Sequence, residues 1–450
     1  MLRTLHFTNA WHATSGGIGT FYRALLQSAN ETPWHARLVV PSEETRYEPI
    51  GSHAGIYHVR APRAPFSPEY RVLYPHRYLA AGSPLREILR QEQPHVVEVN
   101  DKYTLTYLAG LLRIGLIPEM QHRPAVVGLT CERMDETMNA YVPLGLFTRW
   151  FARAYMKCLY FPQFDHHIAV SSHVAVELES ASKGHKVERG VWIRGMGVDT
   201  ERFTPSRHSA STRLKISVQA QMEDGVAALL YAGRLAPEKN LSLLLETLEA
   251  LSDVPCKLLI AGDGPGREEF LADARRRAPG RVVYLGHIAD RDRLADLYAN
   301  VDAFLHPNPR EPFGIAPLEA MAAGVPLIAP NSGGVTAYSN SKNAWIVEPL
   351  GSAFAVAVRH ILTDRSERAR RIREARTTAL RLNWPSACAS YYALYQNLWE
   401  RTSEQQPSPE LEPAFRSTPG NRWGLELPVP DATQKPEHRA RTFLGNLFHP

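Results

Sequence analysis

The chain runs to 450 residues, 44% of them hydrophobic, with a net charge of +5. That length exceeds one typical core and predicts two domains, while so mild a charge permits an anionic ligand or lipid without demanding either. No apolar run approaches the roughly 18–20 residues that span a bilayer, and the scattered Cys131, Cys158, Cys256 and Cys388 offer neither a zinc site nor a disulfide framework.

A reducing cytoplasm suits such cysteines, and the opening segment lacks the apolar core of a signal peptide. The first predicted strand is TLHFTNA (4–10), followed by SGGIGTFYRALL (15–26), a glycine loop that opens a helix. Glycines let backbone approach a ligand and a helix N-terminus adds positive potential, so Gly16 and Gly17 are candidates for contact with phosphates or an acceptor. Further strands are ARLVV (36–40), GIYHV (55–59), VVEVN (96–100), AVVGLT (125–130) and HHIAVS (166–171). Helical patterns separate most of them, which predicts a parallel, doubly wound sheet. Asp101, Glu132 and Arg133 follow two of these strands at their carboxyl ends, where open α/β sheets bind ligands.

LGLFTRWFARAYMKCLYF (144–161) interleaves aromatic and basic residues, and Arg149, Arg153 and Lys157 recur on one helix face. It reads as a domain helix with one wet face and its aromatics in the core. A helix lying on anionic lipid is the alternative. The arginine-rich stretch 365–381 reads as a solvated face, and no nucleic-acid module is present.

The polar, turn-rich segment GMGVDTERFTPSRHSASTR (195–213) marks the join. Beyond it the alternation resumes with ALLYAGR (228–234), KLLIAGD (257–263), RVVYLGH (281–287), DAFLHP (302–307) and VPLIAP (325–330). Two Rossmann-like domains are therefore expected, at 1–200 and 207–385. A last helix at 386–402 closes the fold, and the Pro-rich, polar stretch 403–450 reads as mostly disordered.

Two motifs carry chemistry. YAGRLAPEK (231–239) places Arg234 and Lys239 at the carboxyl edge of a strand, where two cations stabilise a departing diphosphate. EPFGIAPLE (311–319) puts Glu311 on a loop at that same edge and Glu319 inside the following helix. The backbone N–H groups from Phe313 through Gly314 and Ile315 to Ala316 favour an anion between them. Two carboxylates beside an anion-binding turn suit a ligand bearing both hydroxyls and phosphates, such as a nucleotide sugar.

The spacing EPFG-x4-E-x4-G-x-P, with G-R-x-x-x-x-K upstream, resembles the retaining glycosyltransferases of family four, which have the GT-B architecture of two Rossmann-like domains facing a cleft. The resemblance covers roughly residues 1–400. It implies Glu311, Arg234 and Lys239 as catalytic residues. Glu319 would bind the donor ribose, and Phe313, Gly314, Ile315, Gly16 and Gly17 would complete the donor site. Asp101, Glu132 and Arg133 fall on the sugar or acceptor side. The first half is similar to bacterial mannosyltransferases, with two departures: Cys131 where a His is common and Asn100 where a Ser is common. The resemblance further implies hexose transfer with retention to a lipid-linked or glycan hydroxyl, with mannose from GDP-mannose preferred and UDP-glucose or UDP-galactose as the alternative donor. A sugar-nucleotide epimerase or a non-catalytic binding protein are the rival classes. Neither a metal nor any other cofactor is expected to be obligatory, and the expected location is cytoplasmic, at the inner face of the cell membrane if the enzyme makes peripheral contact with anionic lipid.

Overall fold

The computed structural model describes residues 1–11, 16–65, 67–141, 145–185 and 190–404, so the stretch expected to be disordered falls, from 405 onward, outside the described residues. The first half supplies β1 (Arg3–Thr8), β2 (His35–Ser42), β3 (Arg46–Ile50), β4 (Ala54–Arg60), a small hairpin of β5 (Arg63–Ala64) and β6 (Ser67–Arg71), then β7 (Val96–Asn100), β8 (Ala125–Thr130), β9 (His166–Ala169) and β10 (Val191–Ile193). Eight of these form a sheet in the order β10-β9-β8-β7-β1-β2-β4-β3. It is parallel except for β3, which pairs antiparallel with β4. β7 and β8 are buried along their whole length, as apolar strands covered on both faces must be. β3 (RYEPI) is largely exposed and carries Pro49, both marks of an edge strand.

The second half contributes β11 (Ala227–Ala232), β12 (Cys256–Ala261), β13 (Val282–Gly286), β14 (Ala303–Leu305), β15 (Leu327–Pro330) and β16 (Trp345–Val347). They form an all-parallel sheet in the order β13-β12-β11-β14-β15-β16. The order reverses between β11 and β14 here and between β1 and β7 in the first sheet. Ligands of open α/β sheets bind in the crevices at such switch points.

The last helix, Trp384–Glu404, packs on the first sheet. Its Tyr392 hydroxyl donates to Leu25 O at 2.9 Å and its Tyr395 hydroxyl to the Glu98 carboxylate. Glu98 lies fully buried on β7 and also accepts from Tyr22 at 3.0 Å and pairs with His6 Nδ1 at 3.0 Å. A buried carboxylate is costly unless it is fully partnered. This one joins β1, β7, the Gly17–Ala29 helix and the closing helix.

The helix Leu146–Tyr155 departs from expectation. Thr148, Ala152, Met156 and Tyr160 are buried, while Phe147, Trp150 and Phe151 are exposed. The aromatics do not enter the core because the small and four-spaced residues already fill the contact with the protein.

Candidate active site

The carboxyl-end loops of the two sheets meet. Tyr70 from the β6 hairpin touches Arg234, Ser171 after β9 donates its hydroxyl to Pro312 O, and a Cβ placed on Gly17 would lie 3.3 Å from Ile315 Cδ1. Gly17 begins the helix Gly17–Ala29 and Ile315 begins the helix Ile315–Ala322. Two helix N-termini thus approach one another across the cleft, and both favour negative charge. Gly16, at the N-cap, is exposed, and none of the described residues comes within 4 Å of a Cβ placed on it.

At the β11/β14 switch point, Lys239 Nζ donates to Glu311 Oε2 at 2.9 Å, and Asn308 Nδ2 donates to the same oxygen at 3.1 Å. Asn240, in left-handed conformation at φ +53°, ends the turn Pro237–Lys239 and ties it to Pro307 O at 3.1 Å. Burial pushes the Glu311 carboxyl up, but Lys239, His306 and the hydrogen bonds outweigh it and hold the carboxyl at about 2. Burial likewise opposes the Lys239 ammonium, and the Glu311 carboxylate reverses this, so the lysine stays charged. Buried His306 is pushed down to about 4 by desolvation and is neutral near pH 7. Arg234 Nη1 lies 3.2 Å from the Tyr70 hydroxyl, with the guanidinium 5.8 Å from the centre of the Tyr70 ring.

Glu319 is more enclosed, its side chain 5% exposed, and it receives a hydrogen bond from the Arg291 guanidinium. Burial still raises its carboxyl above the ordinary value, against Arg291 and Tyr298. Arg291 begins the helix Arg291–Ala299 and lies 5.0 Å from the Phe203 ring centre. Gly314 sits at φ +90°, a left-handed conformation that suits glycine, and its carbonyl accepts from Tyr338. Phe313 is buried, its ring 5.1 Å from Tyr338, and a Cβ on Gly195 would lie 3.0 Å from it. Its side chain is packing, which leaves its backbone for a ligand. Gly334 N donates to Glu311 O, and a Cβ there would collide with Pro312 O. The second glycine turn of the region, Gly333–Gly334, thus braces the Glu311 loop.

On the first wall, Asp101 is committed to its own loop. Its Oδ1 accepts from the backbone of Tyr103, Thr104 and Leu105 at 3.0, 2.6 and 2.7 Å, and its Oδ2 from Asn9 at 3.0 Å. Arg133 is paired with Asp135 at 2.8 Å. Glu132 accepts from the Thr137 hydroxyl. Burial raises its carboxyl, partly offset by Lys102, and the Glu238 carboxylate of the facing turn adds to the rise. Lys102 Nζ binds Glu132 O at 2.7 Å and Glu177 at 3.1 Å, and Glu177 in turn accepts the N–H groups of Met134 and Asp135. The two departures noted in sequence touch: Asn100 Nδ2 lies 3.2 Å from Cys131 Sγ. They form one local substitution, with a half-buried thiol whose titration desolvation pushes well up.

Arg291 and Tyr70 carried no sequence signal. They meet Glu319 and Arg234 across 28 and 164 residues, and neither lies in a motif.

Two doubly wound sheets whose charged carboxyl edges face one another make a GT-B protein. The fold matches the sucrose-phosphate synthase of Thermosynechococcus elongatus with a TM-score of 0.69 at 18% identity, covering 89% of this chain and 100% of that one. Residues 213–378 match the family described as glycosyl transferases group 1. Over 399 residues the chain is 28% identical to the GDP-mannose-dependent alpha-(1-6)-phosphatidylinositol dimannoside mannosyltransferase of Mycobacterium tuberculosis, covering 87% of this chain and 95% of that protein. It is 33% identical over 222 residues to a GDP-mannose-dependent alpha-mannosyltransferase of Mycolicibacterium smegmatis, covering 49% of this chain and 54% of the relative. The matched segment, residues 213–378, is a group 1 glycosyltransferase region, and the enzyme is a hexosyltransferase.

Proposed function

We propose that the enzyme moves mannose from GDP-mannose to a hydroxyl of a lipid-linked or glycan acceptor, with retention at the anomeric carbon. The carrying observation is the half-buried Lys239–Glu311 pair at the β11/β14 switch point. It holds an ionised carboxylate and an ammonium side by side where a nucleotide sugar would lie. The GDP-mannose in the names of both relatives supports the donor, and the phosphatidylinositol dimannoside in the first supports a lipid-borne acceptor.

In this reading the donor diphosphate lies between the two helix N-termini, against the backbone of Phe313, Gly314 and Ile315 and beside Gly16 and Gly17. Arg234 and Lys239 neutralise the charge that grows on it as the bond to the sugar breaks. Glu311 faces the transferred sugar, which becomes cationic as the phosphate leaves. Glu319, together with Arg291, takes the ribose. The acceptor oxygen attacks from the side the phosphate vacates. A new C1–O bond replaces the C1–phosphate bond, and the acceptor proton passes to the leaving phosphate oxygen. With two protein cations in this role, turnover needs no metal and persists in EDTA. Glu132 is the sugar-side or acceptor-side contact, while Asp101 and Arg133 shape its wall. We take 1–200 and 207–385 as the two domains, with Trp384–Glu404 tying the chain back to the first.

Donor hydrolysis measured across GDP- and UDP-sugars tests this. GDP-mannose should be cleaved fastest; preference for UDP-glucose or UDP-galactose would move the donor, and interconversion of sugar nucleotides without transfer would replace the reaction.

A further inference from the structure

The outer surface of the helix Leu146–Tyr155 and the π-helical turn Met156–Tyr160 that continues it is unusually apolar for a surface. Leu146 is 85% exposed, Phe147 62%, Trp150 64% and Phe151 43%. Soluble proteins seldom leave such large side chains in one uncovered cluster without a binding purpose. The rings support one another, with Phe147 and Trp150 centroids 6.2 Å apart and Phe151 and Tyr155 6.4 Å apart.

The same surface is basic. Arg149, Arg153 and Lys157 are exposed, and no Asp or Glu occurs between Leu146 and Phe164. At about 100° per residue, Arg149 and Arg153 form a strip beside the arc of Phe147, Trp150 and Phe151. The third side, Thr148, Ala152 and Met156, is buried against the protein. The outward surface is therefore split between cations and aromatics. A protein partner would need an acidic, concave counterpart. An anionic lipid surface supplies both halves at once, with phosphates for the cations and an acyl boundary for Trp and Phe.

We infer that this face docks the enzyme on anionic lipid. For its purpose the inference rests on the lipid-borne acceptor proposed above; its binding test does not. The face is also wired to the acceptor-side wall. Tyr155 donates its hydroxyl to Lys102 O at 2.6 Å, and the Lys102 ammonium holds Glu132 O at 2.7 Å. A headgroup carried by the membrane would arrive beside the wall that presents Glu132.

Co-sedimentation of the full chain with vesicles decides it, using phosphatidylcholine alone and phosphatidylcholine with phosphatidylglycerol. The wild type should sediment with the anionic vesicles and lose binding as salt rises. Each cation near such a surface contributes about fivefold, so R149Q/R153Q/K157Q should lose about a hundredfold in partition. F147S/W150S should lose at least about tenfold, with salt dependence retained. Melting temperature and donor hydrolysis without vesicles should stay near wild type in both. A wild type that remains in the supernatant, or variants that sediment as it does, would overturn the inference. So would a wild-type oligomer that F147S/W150S turns into monomers with vesicle binding unchanged, since the face would then belong to a second copy. The acceptor reading fails separately: vesicle binding with no transfer to a lipid-linked hydroxyl, in detergent or on vesicles, removes it and leaves the docking face standing.

Discussion

The two walls of the cleft handle their charges differently. On the second sheet, the charged groups that the motifs single out are engaged with one another or with groups reached across the cleft: Lys239 with Glu311, Arg291 with Glu319, Arg234 with Tyr70. On the first sheet, all three candidates are engaged by their own neighbours, Asp101 by the loop it begins, Arg133 by Asp135 and Glu132 by the Thr137 hydroxyl. Side chains held by partners in a low-dielectric cleft are preorganised for a fixed ligand such as a nucleotide diphosphate. Side chains that staple local backbone shape a wall without committing it to a ligand. Under the proposed function, one wall is built for a donor of one chemistry. The other is a scaffold that presents few committed groups, as an acceptor site open to variation would.

The sharpest way to break that contrast is to remove a cation from the donor wall. Lys239→Ala and Arg234→Ala should each lower turnover by about 10²–10³, measured as kcat for GDP-mannose hydrolysis, with the circular dichroism spectrum unchanged. Glu311→Gln should fall in the same range and mainly in kcat, because its partner becomes cationic only as the reaction proceeds. Turnover near wild type in all three would dissolve the distinction between the walls.

Glu319→Gln should act on binding instead, raising the donor KM by about tenfold, the scale of one hydrogen bond to a charged group, with kcat little changed. Arg291→Met sharpens the point. Burial already raises the Glu319 carboxyl, and Arg291 works against that rise. Without the guanidinium the carboxyl should titrate higher still, so donor KM should worsen as pH falls and recover as pH rises. A flat pH profile in Arg291→Met would mean that Arg291 does not act through Glu319.

On the acceptor wall the expected loss is in stability. Asp101→Ala strips three backbone N–H groups of their acceptor. It should cost about 1–3 kcal/mol in denaturant unfolding, while donor hydrolysis per folded molecule stays close to wild type. A collapse of hydrolysis with normal stability would place Asp101 in the chemistry and erase the difference drawn here.

What was legible in the sequence follows from what each signal measures. Val96–Asn100 and Ala125–Thr130 stand where their apolar runs put them, since a strand covered on both faces must be apolar throughout. Arg46–Ile50 went unread because an exposed edge strand needs no such run, and Val191–Ile193 and Trp345–Val347 because three residues hold no period. The meeting of Lys239 with Glu311 was implied by two motifs at one sheet edge. Arg291 and Tyr70 enter through contacts between distant segments, which composition does not record. The aromatics of Phe147–Phe151 were expected inside because periodicity separates the faces of a helix without saying which face the protein covers.

The smallest expected effect concerns pH and the donor wall's buried imidazole. Desolvation holds His306 at about 4, well below an ordinary histidine. The unfolded chain therefore takes up a proton near pH 6.5 that the folded site refuses until about pH 4, and stability drops as pH falls through that window. The slope from one such group is at most about 1.4 kcal/mol per pH unit. The Glu311 carboxylate, held at about 2, has the opposite character to a raised acid. It stabilises the fold above the ordinary carboxylate range and loses that contribution only as pH falls from about 4 toward 2. Between pH 6.5 and 5, then, His306 titrates in the unfolded state while Glu311 stays ionised in both states. His306→Leu should shrink the loss of melting temperature between pH 7 and pH 5 relative to wild type, even if it lowers the melting temperature at pH 7. An undiminished loss in the variant would mean that the donor wall is not held dry around a neutral imidazole, and the low-dielectric setting invoked for the Lys239–Glu311 pair would lose its support.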